Sequence, residues 1–409
     1  MKKEIVPCVI GLGYVGLPVF LRLQLNFKTI GFDINKERIS TLKNKHDYNK
    51  EFRDNQLILK KNSYFTFLKK ELTKANFYIV TVPTPINFKK KPDLRLLKDA
   101  SYTISKYLKK GDIIVYESTV YPGTTHYLVK KYLEKYSKLK EDRDFYVCYS
   151  PERVNPGDVK HSINKIKKII AIKSSNKIIQ KTVVNVYKKI TTKLVITRFI
   201  EEAEAAKVIE NIQRDLNIAL MNDLLIYSDK MGYNFQEILR LASTKWNFLK
   251  FNPGLVGGHC LPVDPYYLYF HAQKNKIKLK TLLAGREVNN YMKFFVKKKI
   301  ERNIKRFQNK SINPKILICG LTYKKNVSDI RNSFALDIYL DLKKKYKNVN
   351  AFDYVCNNKI VKKYRLIKRI NNQLNYHLIV FLVNHKKNSE IYQQAIKNKI
   401  KVLDIFNFY

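Results

Sequence analysis

The chain has 409 residues but only five cysteines, and no two of them form a Cys-x-x-Cys pair. An odd number of scattered cysteines in a long chain argues against a disulfide scaffold and a zinc site. We therefore expect no metal and a reducing, cytoplasmic compartment. The sequence also has no uninterrupted apolar stretch long enough to span a bilayer, so it predicts a protein without membrane association.

Acidic residues are scarce as well: 34 Asp and Glu stand against 79 Lys and Arg, for a formal net charge of +45. A charge of this size is typical of proteins that bind polyanions. The lysines, however, are spread from end to end and form only short runs such as Lys89–Lys91 and Lys343–Lys345. We therefore interpret the charge as a compositional habit that would favour an anionic substrate, and we expect no specific nucleic-acid partner.

Glycine is also infrequent, yet three of the 13 glycines fall in one short segment near the N-terminus. Residues Ile5–Ile10 predict a strand, the run GLGYVGLP follows at once, and a helical apolar pattern leads to a second strand that ends at Asp33. In this arrangement the glycines permit a tight turn and close approach of a pyrophosphate, the helix N-terminus attracts phosphate, and the acid binds ribose hydroxyls. The sequence thus predicts a dinucleotide site formed by Gly11, Gly13, Tyr14, Val15, Gly16 and Asp33.

The acidic residue also indicates which dinucleotide binds. A carboxylate at Asp33 repels a 2′-phosphate, so it favours NAD over NADP. Arg38, five residues further on, leaves two alternatives open, because it can flank the adenine as part of the cofactor site or only pair with Asp33.

Three further apolar segments predict strands of a parallel sheet, and each ends in polar or turn residues. Ligands of such sheets bind at the carboxyl ends of the strands, so Thr84 and Thr119 are expected to contact the cofactor and Glu152 to be a site carboxylate. The alternative for each threonine is that its hydroxyl only caps the helix that follows. The strands are predicted at Phe77–Val82, Asp112–Tyr116 and Phe145–Tyr149.

A long helix is predicted from Glu201 to about Lys230, because this segment has no Gly or Pro and repeats apolar residues at helical spacing. Such a helix is most often solvated along its polar stripe. In the alternative interpretation, a Lys and an Asn one turn apart jointly donate hydrogen bonds to an oxyanion. The polar residues that share one face are Glu204, Lys207, Asn211 and Asp215.

The run GGHCLPVDP at residues 257–265 cannot form ordinary helix or strand, because it begins with two glycines and contains two prolines. It predicts a shaped loop in which the backbone can approach a ligand closely and the thiol of Cys260 can react. The alternative is a tight structural turn with an incidental cysteine.

Together these segments strongly resemble the nucleotide-sugar 6-dehydrogenase family, which includes the UDP-glucose and GDP-mannose dehydrogenases. The stretch TKWNFLKFNPGLVGGHCLPVDPYYL is most similar to the branch that oxidises UDP-N-acetylhexosamines for bacterial surface polysaccharides, the Vi-antigen type. The matching runs cover almost the entire chain in the family's order: GLGYVGLP, VPTP, STVYPGTT, SPERVNPGD, EAAKVIENIQRDLNIALMND, GLVGGHCLPVDPYYL, AGREVNNYM and GLTYKKNVSDIRNS.

The resemblance implies an α/β fold with two Rossmann-like parallel-sheet domains joined by a central helical domain that contains one long helix. The C-terminal residues agree with this, and their first strand leads into GLTYK rather than GxGxxG, so no second dinucleotide is expected there. The expected domains are residues 1–197 for NAD binding, 198–300 for the central domain with the cysteine loop, and 301–409 for nucleotide-sugar (UDP) binding. The C-terminal strands are predicted at Lys315–Leu321, Val349–Asp353 and Leu378–Val383.

The chemistry implied by the resemblance is a two-step oxidation of the C6 alcohol of a UDP-sugar to a carboxylate, with two NAD used per sugar. Cys260 matches the family nucleophile, which holds the aldehyde as a thiohemiacetal and then as a thioester that water hydrolyses. A thiolate attacks best, so the cation of Lys207 would help, and Lys207 with Asn211 would donate hydrogen bonds to the oxyanion.

Water must be activated in the last step, for which Asp264 and Glu152 are the available carboxylates and Thr119 is a residue that orients the water. Some UDP-glucose enzymes carry a second carboxylate four residues after Glu152, where this chain has Pro156, and this difference leans away from UDP-glucose. Arg331 matches the residue that reaches back towards NAD. The residues implied to bind substrate are Glu152, Lys207, Asn211, Phe251, Asn252, Gly257, Arg286, Tyr323 and Lys324.

Arg286 is expected either to reach the substrate, from its own or a neighbouring subunit, or to have a structural role. His259 adjoins the nucleophile, but adjacent loop residues usually point apart, so no Cys/His dyad is expected. The long helix offers an apolar face larger than one small domain needs, which indicates a homodimer or a larger homo-oligomer.

The expected function is therefore NAD-dependent oxidation of UDP-GlcNAc or UDP-GalNAc to the uronate for surface polysaccharide biosynthesis. The alternatives among enzymes are a UDP-glucose 6-dehydrogenase and a UDP-N-acetylmannosamine dehydrogenase. A nucleic-acid-binding module would leave GLGYVGLP, Asp33 and the cysteine loop unexplained, and the presence of Cys260, Lys207 and Asp264 argues against an inactive NAD sensor.

Overall fold

The computed structural model describes residues 4–49, 52–153, 163–370 and 374–409. Its chain divides into two compact units, each built from two separate segments. The first unit comprises residues 1–210 and 266–278, and the second comprises residues 211–265 and 279–409. The three-domain boundaries expected from the sequence stay a prediction.

The first unit is built on an eight-stranded sheet. Its central strands are short apolar runs that are buried along their whole length, as expected for parallel strands covered on both faces. The strands are β1 (Pro7–Ile10), β2 (Ile30–Phe32), β3 (Tyr64–Thr66), β4 (Phe77–Val80), β5 (Asp112–Tyr116), β6 (Phe145–Tyr149), β7 (Lys167–Ile172) and β8 (Lys193–Thr197).

The order of these strands is β3-β2-β1-β4-β5-β6-β7-β8. The first six are parallel to their neighbours and follow the order of a dinucleotide-binding sheet, whose switch point lies between β1 and β4. β7 runs antiparallel to β6, and β8 runs parallel to β7. The predicted parallel sheet is thus confirmed as mostly parallel, with the β6–β7 pair as the exception.

Helices connect the strands of the first unit, and one apolar core joins them to the sheet. In this core, side chains of the first and fifth helices pack with those of β1, β4 and β5. A π-helical turn, Thr124–Val129, precedes the fourth helix. The helices are α1 (Gly16–Leu23), α2 (Lys36–Lys43), α3 (Arg95–Ser105), α4 (Lys130–Ser137) and α5 (Lys177–Ile190), with 3-10 turns at Asp54–Gln56 and Lys69–Lys74.

The predicted long helix is confirmed as α6 (Ile200–Met231). It ends because Gly232 adopts a left-handed φ of +72°. The N–H of Tyr233 then donates back to the carbonyl of Ser228 at 2.9 Å, as in a Schellman cap. The helices that follow are α7 (Phe235–Ala242), α8 (Asp264–Lys274) and α9 (Lys280–Gln308).

The second unit contains a four-stranded parallel sheet with the order β10-β9-β11-β12. Because side chains alternate along a strand, β9 contributes to two cores: Ile316 and Ile318 pack with α9, whereas Leu317 and Cys319 face the opposite side. Both faces of this sheet are therefore covered. Its elements are β9 (Ile316–Cys319), α10 (Phe334–Lys345), β10 (Val349–Phe352), α11 (Asn358–Tyr364), β11 (Leu378–Phe381), α12 (Asn388–Lys397) and β12 (Lys401–Asp404).

The fold class expected from the sequence, two Rossmann-like sheets and a long helix, is confirmed. The predicted strands Asp112–Tyr116 and Phe145–Tyr149 have the observed bounds, whereas β3, β7, β8 and β12 were not predicted. None of the helices in the described segments reaches the length and hydropathy of a transmembrane span.

Candidate active site

The glycine loop after β1 has a different structural reason for each of its three glycines. Gly11 adopts a left-handed φ of +91°, so it supplies the tight turn. A Cβ on Gly16 would overlap the carbonyl oxygen of Gly11, so this glycine lets α1 pack closely on the turn. A Cβ on Gly13 would meet nothing within 4 Å, so a pyrophosphate can approach the backbone here.

The start of α1 completes this loop. Tyr14 and Val15 are half-buried, and Val15 is the residue that precedes the helix. No described side chain caps the helix there, so its first N–H groups and its positive dipole end suit a phosphate. These features fit a bound NAD.

Asp33, directly after β2, is half-buried and well ordered by the backbone around it. One carboxylate oxygen accepts the N–H of Leu12 at 2.8 Å and the other accepts the N–H of Asn35 at 2.9 Å. A carboxylate has about four acceptor positions, so both oxygens can still accept from ribose hydroxyls.

Arg38 does not pair with Asp33, and that alternative is wrong. Its guanidinium is buried, donates to the carbonyl of Leu12 at 2.8 Å and forms an ion pair with Asp47 at 2.7 Å. It also lies over the ring of Tyr48, 4.4 Å from its centroid. Arg38 therefore stabilises the glycine loop through its hydrogen bond to Leu12. Its direct contact with the cofactor stays a prediction.

Thr84 and Thr119 lie after the neighbouring strands β4 and β5, and the structure brings them together. The Thr84 hydroxyl donates to the carbonyl of Thr119 at 2.6 Å. The helical segments that follow begin after Leu94 and Gly123, so neither threonine caps a helix and that alternative is wrong. Their contact with the cofactor stays a prediction.

Glu152, after β6, belongs to a buried ionic cluster that the sequence did not predict. The ammonium of Lys168, on β7, donates to Glu152 at 3.1 Å and to Glu117 at 2.8 Å, and Tyr187 donates to Glu117 at 2.6 Å. Burial raises the pKa of Glu117, while burial alone would lower that of Lys168 and its two carboxylates raise it instead. Lys168 thus fixes the position of the Glu152 carboxylate.

The polar stripe of α6 is not a solvated face, and that interpretation is wrong. Glu204, Lys207 and Asp215 are 0%, 7% and 1% exposed. Glu204 accepts the N–H groups of Gly123 at 2.5 Å and Thr125 at 2.8 Å, and burial raises its pKa to about 7. Glu204 therefore anchors the π-helical turn, a role that the sequence did not indicate.

In the second unit, two of the predicted catalytic residues are in direct contact. The amide of Asn211, on α6, donates to the carboxylate of Asp264 at 2.5 Å. Asp264 begins α8, and its N–H donates to the carbonyl of Cys260 at 2.8 Å. Cys260 is half-buried and lies one turn before the start of α8. The positive end of the helix dipole there favours a thiolate.

The cysteine loop is confirmed as a loop, and its two glycines have a packing reason. Cβ atoms on Gly257 and Gly258 would lie 2.6 Å from the carbonyl oxygen of Asn332 and the ring of Tyr323, respectively. The N–H of Gly258 donates to the carbonyl of Arg331 at 3.1 Å, and its carbonyl accepts from the Asn332 amide at 2.8 Å. The cysteine loop therefore lies against the predicted substrate segment, which contains Tyr323 and Arg331.

The expectation that His259 and Cys260 point apart is wrong. The imidazole Nδ1 of His259 lies 2.9 Å from the Cys260 Sγ. Its ring centroid is 6.3 Å from that of Tyr323.

Arg286, on α9, is buried in a polar cluster with α6. Its guanidinium forms an ion pair with Asp215 at 2.5 Å and donates to Asn290 at 2.7 Å, and the Asn289 amide also donates to Asp215 at 2.8 Å. This placement favours the structural alternative for Arg286, and substrate contact stays a prediction.

The remaining predicted residues are placed as follows. Phe251 packs against the core, Asn252 is exposed, Lys324 is half-buried and Arg331 is exposed in an ion pair with Asp329 at 2.5 Å. Their binding roles stay predictions. Pro156 lies outside the described residues. Among the residues that the structure describes, no group of His, Cys, Asp and Glu could hold a metal ion.

Three segments of the chain match domain models of the UDP-glucose/GDP-mannose dehydrogenase family. They are the NAD binding domain over residues 5–191, the central domain over 201–291 and the UDP binding domain over 317–409. The fold and these matches define a nucleotide-sugar dehydrogenase with an NAD-binding domain.

Similar proteins agree with this class. The chain is 44% identical over 352 residues to a UDP-N-acetyl-D-glucosamine 6-dehydrogenase of Pseudomonas aeruginosa, covering 86% of this chain and 83% of that relative. It is 42% identical over 400 residues to one of Salmonella typhi, covering 96% and 93%. A solved UDP-D-ManNAc dehydrogenase from Pyrococcus horikoshii has a TM-score of 0.85 and 27% identity, covering 99% of this chain and 96% of that chain. The chain belongs to the UDP-glucose/GDP-mannose dehydrogenase family.

Proposed function

We propose that the protein oxidises the C6 alcohol of a UDP-N-acetylhexosamine, UDP-GlcNAc or UDP-GalNAc, to the uronate. The observation that carries this proposal is the half-buried Cys260 at the start of α8, one turn before an Asp264 carboxylate that is held by Asn211 at 2.5 Å. Two relatives, 44% and 42% identical, are named as UDP-N-acetyl-D-glucosamine 6-dehydrogenases and support the choice of sugar.

The cofactor residues have a defined part in this reaction. When bound, NAD accepts a hydride from C6 in each of the two oxidation steps. The N–H groups at the start of α1 and the backbone at Gly13 would hold its pyrophosphate, and Asp33 would accept from its ribose hydroxyls. Thr84 and Thr119, joined at 2.6 Å, line the carboxyl ends of the strands beside the switch point.

The thiolate of Cys260 adds to the aldehyde carbon, and a C–S bond forms while the carbonyl oxygen becomes an oxyanion. Asn211 has two amide protons, and the bond to Asp264 uses one of them, so the other is oriented for the oxyanion. Lys207, four residues earlier on α6, is the second donor. After the second oxidation the oxyanion has become the carbonyl of a thioester on Cys260.

Hydrolysis of the thioester needs a water molecule and a base. Asp264 and Glu152 are the carboxylates assigned to this step, and Thr119 orients the water. The carboxylate of Glu152 is fixed by Lys168 at 3.1 Å, and that of Asp264 by Asn211. Each base is thus held in one position before substrate binds.

The variant Cys260→Ser tests the nucleophile. We expect no uronate from it, because the hydroxyl is a far weaker nucleophile than a thiolate. Product mass distinguishes the acid from the aldehyde, and Cys356→Ser is a matched control at a half-buried cysteine of the same unit. Uronate formation by Cys260→Ser at the parental rate would refute the assignment.

A UDP-N-acetylmannosamine dehydrogenase is the second candidate, because the solved structure with a TM-score of 0.85 carries that activity in its description. A UDP-glucose 6-dehydrogenase is the third. NADH release measured separately with each UDP-sugar decides among them. A kcat/KM for UDP-glucose or UDP-ManNAc above that for UDP-GlcNAc and UDP-GalNAc would overturn the proposed substrate.

The proposed setting is the cytoplasm, as a homodimer or larger homo-oligomer that supplies a uronate for surface polysaccharide. The oligomer is supported by apolar side chains that are exposed along α6: Ile209, Leu220, Leu224, Tyr227 and Met231. Sedimentation velocity of the full chain measures the subunit number, and a monomer at micromolar concentration would contradict this part.

A further inference from the structure

The structure places an imidazole against the thiol that the proposed function uses. Nδ1 of His259 and Sγ of Cys260 are 2.9 Å apart, within contact distance for an S–H···N hydrogen bond. Two side chains that are adjacent in an extended segment point to opposite sides, so this contact requires the loop to turn sharply. The backbone bends at each of residues 258–260, and Gly258, which precedes the pair, has a left-handed φ of +89°.

The loop that forms this contact is held in place from outside. Gly258 is bonded through its N–H to Arg331 and through its carbonyl to Asn332, at 3.1 Å and 2.8 Å. On the other side, the Cys260 carbonyl accepts the N–H groups of Val263 at 3.0 Å and Asp264 at 2.8 Å. The backbone on both sides of the His–Cys pair is therefore fixed.

We propose that His259 is the base that converts Cys260 into a thiolate. This inference rests on the proposed function, in which Cys260 is the nucleophile. The proton leaves Sγ and binds Nδ1, and no other bond changes in this step. The imidazolium remains beside the sulfur while the C–S bond forms, and it returns the proton to Sγ when hydrolysis breaks the thioester and releases the thiolate.

The contact matters because an isolated thiol is a weak nucleophile near neutral pH. With a pKa of about 8.5, only about 3% of a thiol is ionised at pH 7. An adjacent imidazolium lowers the pKa of a thiol, and a helix N-terminus acts in the same direction. Cys260 has both, because α8 begins at Asp264, four residues after it.

The carboxylates near the His259–Cys260 pair are engaged in hydrogen bonds or ion pairs with other residues. The Asp264 carboxylate accepts from Asn211 at 2.5 Å, and the Asp329 carboxylate forms an ion pair with Arg331 at 2.5 Å. The Tyr323 ring lies 6.3 Å from the imidazole between centroids. His259 is in contact with Sγ. An ordinary imidazole, with a pKa of about 6.5, is a weaker base than a thiolate, so the imidazolium–thiolate pair forms because the two charges stabilise each other and the helix N-terminus stabilises the thiolate.

The test measures alkylation of Cys260 by iodoacetamide between pH 5 and 10, followed by peptide mass spectrometry of the full chain. It uses a Cys356→Ser background, because Cys8, Cys148 and Cys319 are buried. His259→Asn keeps a polar atom near the position of Nδ1 but cannot take up the proton. His46→Asn is the matched control, since the His46 side chain is 59% exposed.

In the background protein we expect the alkylation midpoint to lie below pH 7.5. In His259→Asn it moves towards 8.5, so the rate at pH 7 falls about tenfold, while His46→Asn changes nothing. His259→Gln repeats the measurement if the Asn variant has a lower melting temperature. A midpoint that is the same in the background protein and in both His259 variants overturns the inference.

The two proposals fail in different ways. If Cys260→Ser still forms uronate, the proposed nucleophile is wrong whatever the alkylation midpoint is. If Cys260→Ser is inactive but the His259 variants alkylate like the parent, the nucleophile stands and the dyad is wrong. The pH profile of kcat adds a second readout, because a loss of the base moves its acidic limb upward, whereas a purely structural role changes only its height.

Discussion

The two sheets begin with the same local structure. In the first, β1 leads into Gly11, which has a φ of +91° and donates its N–H to Phe32 at the end of β2, at 2.9 Å. In the second, β9 leads into Gly320, which has a φ of +87° and donates to Phe352 at the end of β10, at 3.0 Å. The turn that the dinucleotide fingerprint requires is therefore formed twice.

An acid follows the second strand in both cases. Asp33 accepts the N–H of Leu12 at 2.8 Å, and Asp353 accepts the N–H of Leu321 at 2.6 Å. Asp33 remains half-buried, but Asp353 is only 3% exposed and its carboxylate is bonded to the imidazole of His385 at 3.1 Å.

The difference teaches that exposure of the acid, rather than the turn, separates a cofactor site from a structural one. His385 follows β11 and also accepts the N–H of Asn326 at 2.9 Å. His385 therefore occupies an acceptor position of Asp353 and links this acid to the loop that contains Tyr323 and Lys324. A ribose could not reach this buried acid, and the expectation of no second dinucleotide stays a prediction.

The largest effect on stability is expected from replacing the buried Asp353. The buried carboxylate of Asp353 accepts hydrogen bonds from His385 and from the backbone N–H groups of Leu321 and Thr322. Asp353→Asn removes its charge, so we expect the free energy of unfolding of the second unit to fall by about 3 kcal/mol. Denaturant unfolding followed by circular dichroism measures it. Asp33→Asn is the matched control, and an equal loss of stability in both variants would break the comparison.

The two units should also respond to pH in opposite directions. Burial raises the pKa of Glu204 to about 7, so the folded first unit binds a proton that the unfolded chain releases near pH 4.5, and its stability falls as pH rises through this window. The full effect is about 3 kcal/mol at 1.4 kcal/mol per pH unit. Glu204→Gln should flatten unfolding free energies between pH 5 and 8, whereas the exposed Glu202→Gln should not.

Asp353 has the opposite sign. Burial alone would raise its pKa, but His385 and the backbone N–H groups lower it below the usual value. Its stabilising contribution is present above pH 4 and is lost as pH falls further. In Asp353→Asn this contribution is missing, so we expect the midpoint of acid unfolding of the second unit to change. An unchanged acid midpoint in that variant would contradict this account.

The glycines offer a smaller test. Ala at Gly320 is strained by the positive φ and would place its Cβ 2.8 Å from that of Val383, so we expect a loss of about 2 kcal/mol. Ala at Gly13 meets no protein atom within 4 Å, so the melting temperature should stay unchanged while NAD binding weakens. Calorimetry measures the melting temperature and the NAD affinity of both variants. Weak NAD binding by Gly320→Ala, with normal binding by Gly13→Ala, would contradict the assignment of the cofactor site to the first sheet.

The smallest expected effect concerns cofactor choice. Asp33→Asn keeps an acceptor for the ribose but loses its charge, so we expect the KM for NAD to rise about tenfold. The same variant should accept NADP better, because the repulsion of a 2′-phosphate is gone. Initial rates with both cofactors measure this, and an unchanged NAD to NADP ratio would separate Asp33 from cofactor binding.

Sequence reasoning succeeded where the signal is local. The strand, glycine loop, helix and Asp33 follow one another within about 30 residues, and the absence of Gly and Pro from Ile200–Met231 suffices to predict α6. Helical spacing singled out Asn211 and the family runs gave the role of Asp264, and the structure places these two residues in contact.

It failed where the signal is distant or depends on backbone turns. Lys168 meets Glu117 and Glu152 across 51 and 16 residues, and no spacing rule links three such positions. The contact of His259 with Cys260 depends on the bend at residues 258–260, which the residue types alone do not fix. β8 lacks a buried face: its residues are exposed or half-buried, so it has neither the fully apolar run nor the strict alternation that predicts a strand.

The double hydrogen bond between Gly258 and the segment Arg331–Asn332 works as a mechanical coupling. These bonds connect the loop of Cys260, the proposed nucleophile, to the segment expected to bind the nucleotide sugar, so we expect a displacement of this segment to move the loop as well. A change of sugar preference by mutation in this segment would therefore shift the nucleophile as well. If these roles hold, sugar preference and turnover are coupled, and we expect Asn332→Ala, which removes the hydrogen bond to Gly258, to lower both together.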